Sequence, residues 1–304
     1  MQPPNTITST TPNTENQNLQ RIPPLIIRVS ALPSYTDCPR RAAAKAYRKI
    51  IEGAGFMLRR LPNSIGASVG TGVHAGASFM LNQKKEGTEI CGKDAGELAV
   101  IELRRQTAGG TIWDGTTQNQ NVAEKQTLRL TRLFETSCVP IMAPDLIEQP
   151  RKAVVAPGWQ LQGRPDLETT DEYIRDWKTG TAIRPYHAQH GGYSLLRRSQ
   201  GGSKPRGLIM DHLKRVAVDK PQPPVTSIVY DGPAAERAAW AIINHVMRDM
   251  RAFLKSGDPW CFACNPMSMM CSEKYCPAFS TRFCELMNTP LEGYPMRGGF
   301  DAAA

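Results

Sequence analysis

Apolar positions along the chain change their spacing near residue 144. Before that point they recur three or four residues apart, as at Val73, Ala77 and Met80, which is the spacing of one face of a helix. Capping residues and good helix formers accompany this spacing. We therefore predict helices in four stretches, namely residues 34–51, 68–85, 94–106 and 121–135.

From residue 144 onward, apolar and polar residues alternate in short runs, which is typical of strands. A Pro-Gly pair and the polar segment 168–172 separate the first runs, so we predict a strand meander with a tight hairpin. The predicted strands are residues 152–156, 159–167, 173–177, 208–213 and 226–230. We predict helices at about residues 185–199 and 233–255.

Helices on both sides of a strand cluster predict an α/β fold with a mixed central sheet flanked by helices and a helical insertion. We expect one domain over residues 24–290, with a helical part at about 34–140, the sheet at about 144–230 and a cysteine region at 261–284. Residues 1–23 have no hydrophobic period, so we expect a disordered tail there. We expect a second, flexible tail at 291–304.

The segment 161–180 carries the chemistry that stands out most. If the hairpin turn centres on Asp171, antiparallel pairing sets residues whose numbers sum to 342 opposite each other, and Asp166 faces Asp176. Opposed residues in a ladder have Cβ atoms about 5 Å apart. Lys178 lies two positions after Asp176, which places it on the same face. One sheet face therefore gathers two carboxylates and an ammonium.

Like charges directly opposite each other destabilise a sheet, so a purely structural hairpin would avoid this pairing. A divalent cation between the carboxylates removes the conflict, and hard oxygen ligands suit Mg²⁺ or Mn²⁺. Such a metal acidifies a water and stabilises charge on a phosphate. Lys178 would position that water or neutralise the phosphate, and Glu148 would supply another carboxylate. The competing interpretation is a solvent-facing hairpin with outward charges.

Charge points to the same class of substrate. The 304-residue chain has 37 Lys and Arg against 28 Asp and Glu, a net charge of +9. That surplus favours a polyanionic partner, either nucleic acid or an acidic membrane surface. No apolar run approaches the roughly 20 residues of a membrane span, and the polar N-terminus has no signal-peptide pattern. We therefore expect a cytoplasmic protein.

Five of the eight cysteines lie between residues 261 and 284. In a reducing compartment such clustering favours a metal or cluster site over disulfides. A zinc ribbon would have two close pairs separated by a longer gap, and the observed spacing is irregular for that. Cys91 and Cys138 fall in predicted helices, where we expect ordinary buried thiols.

Several motifs resemble, in order, those of the RecB-like exonuclease group of the PD-(D/E)XK nuclease superfamily, and the resemblance covers most of residues 30–285. They are the segment around His74 (Gly-Thr-x-x-His), residues 163–166 (Gly-x-x-Asp), residues 176–178 (Asp/Glu-x-Lys), and Gln189 with Tyr193 (Gln-x-x-x-Tyr). The resemblance implies a restriction-endonuclease-like fold. Pro165 departs from the pattern, because it lacks a backbone donor, and the strand there should be an edge or bulged.

The resemblance also implies roles. The metal would be held by His74, Asp166, Asp176 and the backbone carbonyl of Trp177, with Glu148 nearby. Lys178 would be the catalytic lysine, and Gln189 and Tyr193 would contact DNA or orient the active site. From the residues alone, His74 could equally be a hydrogen-bonded core histidine, and Gln189 and Tyr193 a locally packed pair.

Cys38 lies in a Ser/Tyr…Cys-Pro-Arg segment similar to the start of some RecB-like nucleases. There, one N-terminal cysteine and three C-terminal ones hold a [4Fe–4S] cluster that joins the two chain ends; four thiolates are usual for such clusters. By resemblance to the phage-type tail the partners would be Cys271, Cys276 and Cys284. The alternative set is Cys261, Cys264 and Cys271.

The expected function is a metal-dependent DNA exonuclease acting on linear single- or double-stranded ends, in phage or prophage recombination or DNA processing. It would work in the cytoplasm of a bacterium or phage-infected host cell, with a possible recombination or helicase partner. We expect Arg40, Arg41, Arg197 and Arg198 to contact phosphates. The alternatives are a non-catalytic nucleic-acid-binding protein with a zinc-binding cysteine tail and, less favoured, a site-specific endonuclease.

Overall fold

A computed structural model of the chain describes residues 23–285. The two predicted tails therefore lie outside the described residues, apart from Pro23. Most of the helices precede residue 140, and most of the strands follow it. In chain order the helices are α1 (Leu32–Asp37), α2 (Pro39–Ala46), α3 (Arg48–Gly53), α4 (Ile65–Glu86), α5 (Gly92–Thr107), α6 (Gln120–Ser137), α7 (His187–Ser199) and α8 (Gly232–Ser256).

The first predicted helix, residues 34–51, is wrong as a continuous element. It is broken into α1, α2 and α3 at Cys38, which has an extended backbone (φ −151°, ψ 99°), and at Tyr47. Pro39 explains the first break, because proline disfavours the helical conformation of the residue before it. The extended conformation leaves Cys38 at the junction between two helices.

The strands form three sheets within the described residues. They are β1 (Leu25–Arg28), β2 (Asn63–Ser64), β3 (Thr111–Ile112), β4 (Pro144–Ile147), β5 (Arg151–Ala156), β6 (Trp159–Gly163), β7 (Leu167–Thr169), β8 (Tyr173–Lys178), β9 (Gly207–His212) and β10 (Thr226–Tyr230). The sheet orders are β10-β9-β8-β7-β4, β1-β6-β5 and β2-β3. Strands β8 and β9 are parallel, as are β1 and β6, and the other pairs of the two larger sheets are antiparallel.

The predicted strand 159–167 is split between two sheets. Residues 164–166 are outside any strand, so β6 belongs to the three-stranded sheet and β7 to the five-stranded one. Pro165 has no N–H to donate to a ladder, and the chain changes sheets there. Gly163 ends β6 where α7 packs closely, since a Cβ at this position would lie 3.0 Å from Tyr193 and from Leu196.

Strand β8 separates two hydrophobic cores. Ile174 belongs to a core with Leu208 and Met210 of β9 and with the apolar faces of α7 and α8. Trp177 belongs to a second core with Phe134 and the apolar residues of α4 and α6. The alternation of side chains along a strand produces this division. Among residues 23–285, no helix combines the length and hydropathy needed to cross a bilayer.

Candidate functional site

The hairpin of β7 and β8 brings together the two aspartates and the lysine singled out by the sequence. Leu167 pairs with Arg175 and Glu168 with Ile174, so each pair sums to 342 and the predicted register is confirmed. Asp166 immediately precedes β7. The ammonium of Lys178 forms an ion pair with Oδ2 of Asp176, since residues two apart in a strand share a face.

Helix α4 and strand β8 hold Asp166 between them. Its Oδ2 accepts a 2.9 Å hydrogen bond from the backbone N–H of Trp177, and its Oδ1 lies 3.3 Å from Nδ1 of His74. The Nε2 atom of His74 is 3.1 Å from the carbonyl oxygen of Trp177. Burial lowers the pKa of His74, but the Asp166 carboxylate raises it, and the net direction is upward.

The two carboxyl groups differ in their protonation. Asp176 is 1% exposed, and burial together with the charge of Asp166 raises its pKa to about 7 against the opposing effect of Lys178. Burial also acts to raise the pKa of Asp166, but His74 and Lys178 keep it below its usual value. Near neutral pH the site therefore contains one ionised carboxylate, Asp166, and one carboxyl group, Asp176, that is partly protonated.

Glu148 adds a third carboxylate from the end of β4. Its backbone N–H donates to the carbonyl oxygen of Asp166 at 3.1 Å, and its Oε2 is 3.5 Å from Nη1 of Arg164. Its φ is 48°, a conformation that a non-glycine residue keeps only when surrounding contacts enforce it. Ligand atoms of His74, Glu148 and Asp166 all lie within 4.8 Å of one another, close enough to share one cation.

Helix α7 contacts the hairpin through the side chains of Gln189 and Tyr193. The Nε2 atom of Gln189 donates to Oδ1 of Asp176 at 3.2 Å and to the hydroxyl of Tyr193 at 2.9 Å. Both side chains are buried, and burial raises the pKa of Tyr193 well above its ordinary value. The two residues, one helical turn apart, thus form a relay of hydrogen bonds that ends on the carboxylate of Asp176.

These groups line a wide cleft whose volume is about 1400 Å³, larger than the roughly 300–1,000 Å³ of small-molecule pockets. Its basic lining residues include Arg28, Lys152 and Arg184. Within residues 23–285 these three have no ion-pair partner. The cleft therefore suits a large anionic ligand.

Residues 28–278 match the model of the PD-(D/E)XK nuclease superfamily. The chain belongs to this superfamily. The mixed α/β architecture described above is consistent with its restriction-endonuclease-like fold. Because the match covers most of the chain, the clustered carboxylates and Lys178 lie inside the nuclease region.

One of the matching solved structures shows a similar fold at low sequence identity. A structure of a candidate exonuclease from Eubacterium rectale is 12% identical with a TM-score of 0.50, over 81% of this chain and 86% of that one. LHK-Exo in complex with dAMP is also 12% identical, over 62% of this chain and 96% of that one, but its TM-score of 0.29 is too low to support a structural argument. No curated protein matches the sequence.

A second group of functional candidates in this nuclease surrounds a separate pocket. Its lining includes five cysteines from two distant parts of the chain, namely Cys38, Cys264, Cys271, Cys276 and Cys284. All four cysteines of the set expected from the phage-type tail line the pocket, and Cys264, which belongs to the alternative set, lines it as well. Cys261 is not part of the lining, and its sulfur lies 3.5 Å from the Ser256 hydroxyl. Burial raises the pKa of Cys276 to about 11.

Two buried arginines flank these thiols. Arg40 is 1% exposed, and its Nη1 is 4.0 Å from the sulfur of Cys284. Arg41 lines the pocket and pairs with Asp37 through Nη2 at 2.6 Å. Three buried guanidinium atoms have no hydrogen-bond partner among the described residues: Nη2 of Arg40 and both Nε and Nη1 of Arg41. Buried unpaired cationic groups are costly, so the pocket suits an anionic occupant.

Burial contradicts the expectation that Arg40 and Arg41 contact phosphates, since neither reaches solvent. Arg197 and Arg198, also expected there, form ion pairs instead. Arg197 pairs with Glu168 and Glu172, and Arg198 pairs with Glu236. Neither lines the cleft. A run of basic residues in a sequence does not reveal which of them have acidic partners in space.

Three other residues complete the picture. His190 of α7 is fully buried, and burial lowers its pKa to about 4. Cys91 and Cys138 flank helices instead of lying in them: Cys91 precedes α5 and is half-buried, and Cys138 follows α6 and is buried. Cys138 is therefore the buried thiol that we expected, whereas Cys91 is partly exposed.

The sequence alone did not identify Arg28, Lys152 and Arg184 as cleft residues. A signal for two of them was present. Arg28 and Lys152 both pair with Gln162 in the three-stranded sheet. Their exposed positions in alternating strands place them on the same face, one on each side of Gln162. The pairing of β1 with β6 is parallel and joins distant segments, so the sequence did not reveal it.

Proposed function

We propose that this chain is a metal-dependent deoxyribonuclease that acts as an exonuclease, with Mg²⁺ or Mn²⁺ held by His74, Asp166, Asp176 and the carbonyl oxygen of Trp177, and Glu148 alongside. The observation that carries the proposal is the approach of ligand atoms from His74, Glu148 and Asp166 to within 4.8 Å of one another, beside the buried Asp176. Nucleases of this superfamily use divalent metals.

The donor set fits such an ion. Carboxylate and carbonyl oxygens are the ligands that Mg²⁺ and Mn²⁺ prefer, and one imidazole is compatible with Mn²⁺. The pKa of about 7 at Asp176, raised by burial and by the charge of Asp166, supports the same conclusion, because a bound cation would stabilise the ionised form of this buried carboxyl group. The short His74 contacts to Asp166 and Trp177 mark the place where these ligands converge.

The side chains have distinct tasks in this mechanism. A bound divalent ion supplies an acidified water and stabilises charge on the phosphodiester. Burial lowers the pKa of Lys178, but the charges of Asp176 and Asp166 raise it more, and the net direction is upward. The charged Lys178 donates to the reacting phosphate or its attacking water. The ring of Tyr186 lies 5.2 Å from the Lys178 ammonium and limits its orientations. Gln189 holds Asp176 in place, and Tyr193 holds Gln189.

The basic cleft residues are proposed to bind the DNA backbone. Arg28 and Lys152 lie on either side of Gln162 in adjacent strands, and Arg184 precedes α7 on the cleft lining. Because none of the three has an ion-pair partner within residues 23–285, their charges are available to phosphates. Contacts of this kind release counterions, so binding weakens steeply with added salt.

We further propose that the cysteine pocket holds a [4Fe–4S] cluster ligated by Cys38, Cys271, Cys276 and Cys284. Five sulfur atoms around one pocket are enough for the four thiolates that such clusters use. The unpaired guanidinium atoms of Arg40 and Arg41 suit the negative charge of a thiolate-bound cluster. The cluster has a structural role, because it would tie the α1–α2 junction to the cysteine segment.

The nuclease proposal is tested by digesting end-labelled linear DNA with Mg²⁺ or Mn²⁺. Lys178→Ala is expected to lose activity by at least about a hundredfold, the size of effects from a positioned catalytic group. Lys93→Ala is the matched control, since Lys93 is an exposed lysine that pairs only weakly with Glu97 at 4.0 Å.

The proposed site is supported if the wild type and the Lys93→Ala variant digest DNA and the Lys178→Ala variant does not. Equal digestion by both lysine variants would show that the hairpin is not the active site. DNA binding without digestion by any variant would favour the non-catalytic alternative.

A further inference from the structure

Helix α8 presents a row of cations to solvent. Its exposed positions include Arg237, Arg248, Arg251 and Lys255. In α-helical geometry these positions fall within a sector of about 60° and extend along about 27 Å of the helix. Asn244 lies in the same sector and is also exposed. We call these residues the basic stripe.

Most of the charge of the basic stripe is uncompensated. Both acidic residues of α8 lie outside its sector. Arg248 forms an ion pair with the neighbouring Asp249 through Nη2 at 2.8 Å, but its side chain remains 69% exposed. The guanidinium carbon of Arg251 lies 5.9 Å from the ring centre of Trp159, within range of a cation–π contact. Within residues 23–285, the cations of the stripe other than Arg248 form no ion pair.

The basic stripe is separate from the nuclease cleft. Among the described residues that line the cleft, none belongs to α8, because α7 lies between this helix and the catalytic hairpin. Gln189 of α7 contacts Asp176, whereas a Cβ on Gly191 would lie 1.9 Å from the carbonyl oxygen of Ala235 in α8. Positions 189 and 191 are about 200° apart on a helix, so α7 makes these two contacts with opposite faces. The cleft and the stripe are therefore two distinct surfaces.

The dipole of α8 explains one cation of the stripe and leaves the others unexplained. The negative end of a helix dipole favours cations in the last turn, and Lys255 is the basic residue there. Arg237, Arg248 and Arg251 lie in earlier turns, where the dipole gives no reason for a positive charge. A row that follows one face over most of the helix instead matches an extended anionic partner.

We propose that the basic stripe binds the sugar–phosphate backbone of duplex DNA and is a second, sequence-independent DNA-binding surface of this nuclease. A row of Arg and Lys along one helix face is the electrostatic footprint of nucleic-acid binding. The fork of N–H donors on a guanidinium matches two phosphate oxygens, and the amide of Asn244 adds a further donor. The inference rests on the proposed nuclease function for its choice of DNA as the polyanion.

The geometry of α8 favours a duplex over an acidic membrane surface. An interfacial helix needs its apolar face to enter the headgroup region. In α8 that face is buried in the core shared with α7, and its residues include Ile243, Val246, Met250 and Phe253. Duplex DNA carries one phosphate charge per about 1.7 Å of its axis, so a straight stripe about 27 Å long can contact several phosphates at once.

The experiment measures the affinity of the full chain, carrying its metals, for a fluorescent DNA duplex of mixed sequence over a series of salt concentrations. A Lys178→Ala background prevents digestion. The stripe variant replaces the cations that lack ion pairs: Arg237→Gln, Arg251→Gln and Lys255→Gln. The matched control has the same change in net charge at exposed positions of α5 and α6: Lys93→Gln, Lys125→Gln and Arg132→Gln.

Each lost phosphate contact lowers the slope of log Kd against log salt by about 0.9, so the stripe variant should lower it by about 3. Between about 50 and 200 mM salt, its affinity should therefore fall about fortyfold less than that of the parent chain. The control variant should keep the parent slope. If the triple variant fails to fold, Arg237→Gln with Lys255→Gln decides: it retains the contact of Arg251 with Trp159 and should lower the slope by about 2.

Three results would overturn the inference. The first is an equal slope in the stripe variant and the parent chain. The second is an equal fall in the stripe and control variants, because net charge alone would then explain it. The third is binding of the parent chain, but not of the stripe variant, to vesicles containing an anionic lipid with no change in the DNA slope, which would assign the stripe to a membrane surface. Failure of the nuclease proposal is distinct: wild type would then digest no DNA, while the slope comparison would be unaffected.

Discussion

The carboxylate site and the cysteine pocket solve the problem of buried charge in opposite ways. In the first, each buried acid has a cationic neighbour within the site: Asp166 contacts His74, and Asp176 pairs with Lys178. In the second, Arg41 pairs with Asp37, but three buried guanidinium nitrogen atoms of Arg40 and Arg41 have no hydrogen-bond partner among residues 23–285. A site whose charges are mutually compensated suits an ion that binds reversibly. A site with buried cationic donors that lack acceptors suits a permanently bound anionic group.

The two sites also differ in how the chain builds them. The acids and the lysine come from neighbouring strands of one hairpin and share its register. The cysteines come from residue 38 and from residues 264–284, so they meet only when distant segments pack together. We therefore expect damage to the first site to affect chemistry and damage to the second to affect the fold.

The largest expected effect is on metal binding at the carboxylate site. Asp166→Asn removes the firmly ionised carboxylate, so Mn²⁺ affinity should fall by more than the roughly 10–100-fold that changes in outer-shell partners cause. Digestion should be lost while iron content stays unchanged. Titration calorimetry with Mn²⁺ measures the first effect, and Asp145→Asn, an exposed aspartate on β4, is the control. Loss of iron in Asp166→Asn would contradict the independence of the two sites.

A smaller effect on activity but a large one on stability is expected from Cys38→Ser. Losing a ligand of the proposed cluster opens a very long closed loop, and cross-links of such loops contribute about 4–5 kcal/mol. We expect a fall in Tm of about 10 °C together with loss of iron and of brown colour. Cys261→Ser is the matched control, because Cys261 lies outside the pocket lining. A heat stability of Cys38→Ser equal to that of wild type would remove the structural role.

The smallest effect, and the one that tests the charge comparison most directly, is expected from Arg41→Met. Without the cluster, two buried nitrogen atoms of Arg41 have no partner among residues 23–285, while a third pairs with the partly exposed Asp37. An ion pair to an exposed carboxylate contributes little, so removing the two unbonded donors should raise the stability of the iron-free protein by about 1–2 kcal/mol. With the cluster bound, the same substitution removes a compensating charge and should lower stability. Thermal unfolding of both forms measures the two signs. The same sign in both forms would indicate that Arg41 does not interact with the cluster.

Sequence reasoning succeeded where structure is local. The register of β7 and β8 follows from a polar turn and an alternating pattern within one short segment, and the ion pair of Asp176 with Lys178 follows from the two-residue period of a strand. The order of the longer helices and of the strands after residue 150 was also predicted, because each has its own hydrophobic period, whereas β1 to β4 were not predicted. The helix at residues 34–51 failed because the effect of Pro39 on Cys38 outweighed good helix formers on both sides.

What the sequence did not reveal depends on packing between distant segments. The burial of Arg40, Arg41 and His190 arises from helices and strands that meet only in the folded chain. In the sequence, Cys264 is simply one of five clustered cysteines, and only the pocket lining distinguishes it from Cys261. The contact of Lys274 with Trp113 joins residues 161 positions apart, and no periodicity connects them.

Trp177 is divided between the site and the core. Its backbone N–H and carbonyl oxygen face Asp166 and His74, while its indole ring lies fully buried, 4.8 Å from the ring of Phe134. Every residue except proline has both a backbone N–H and a carbonyl oxygen, so any substitution other than proline keeps both backbone contacts. A substitution of Trp177 would be tolerated or not according to the side-chain volume that it places in the core. Substitutions of its neighbours Asp176 and Lys178 would be judged by the charge and hydrogen bonds that they remove. Three consecutive residues are thus constrained in two different ways, the middle one by packing volume and the outer two by chemical function.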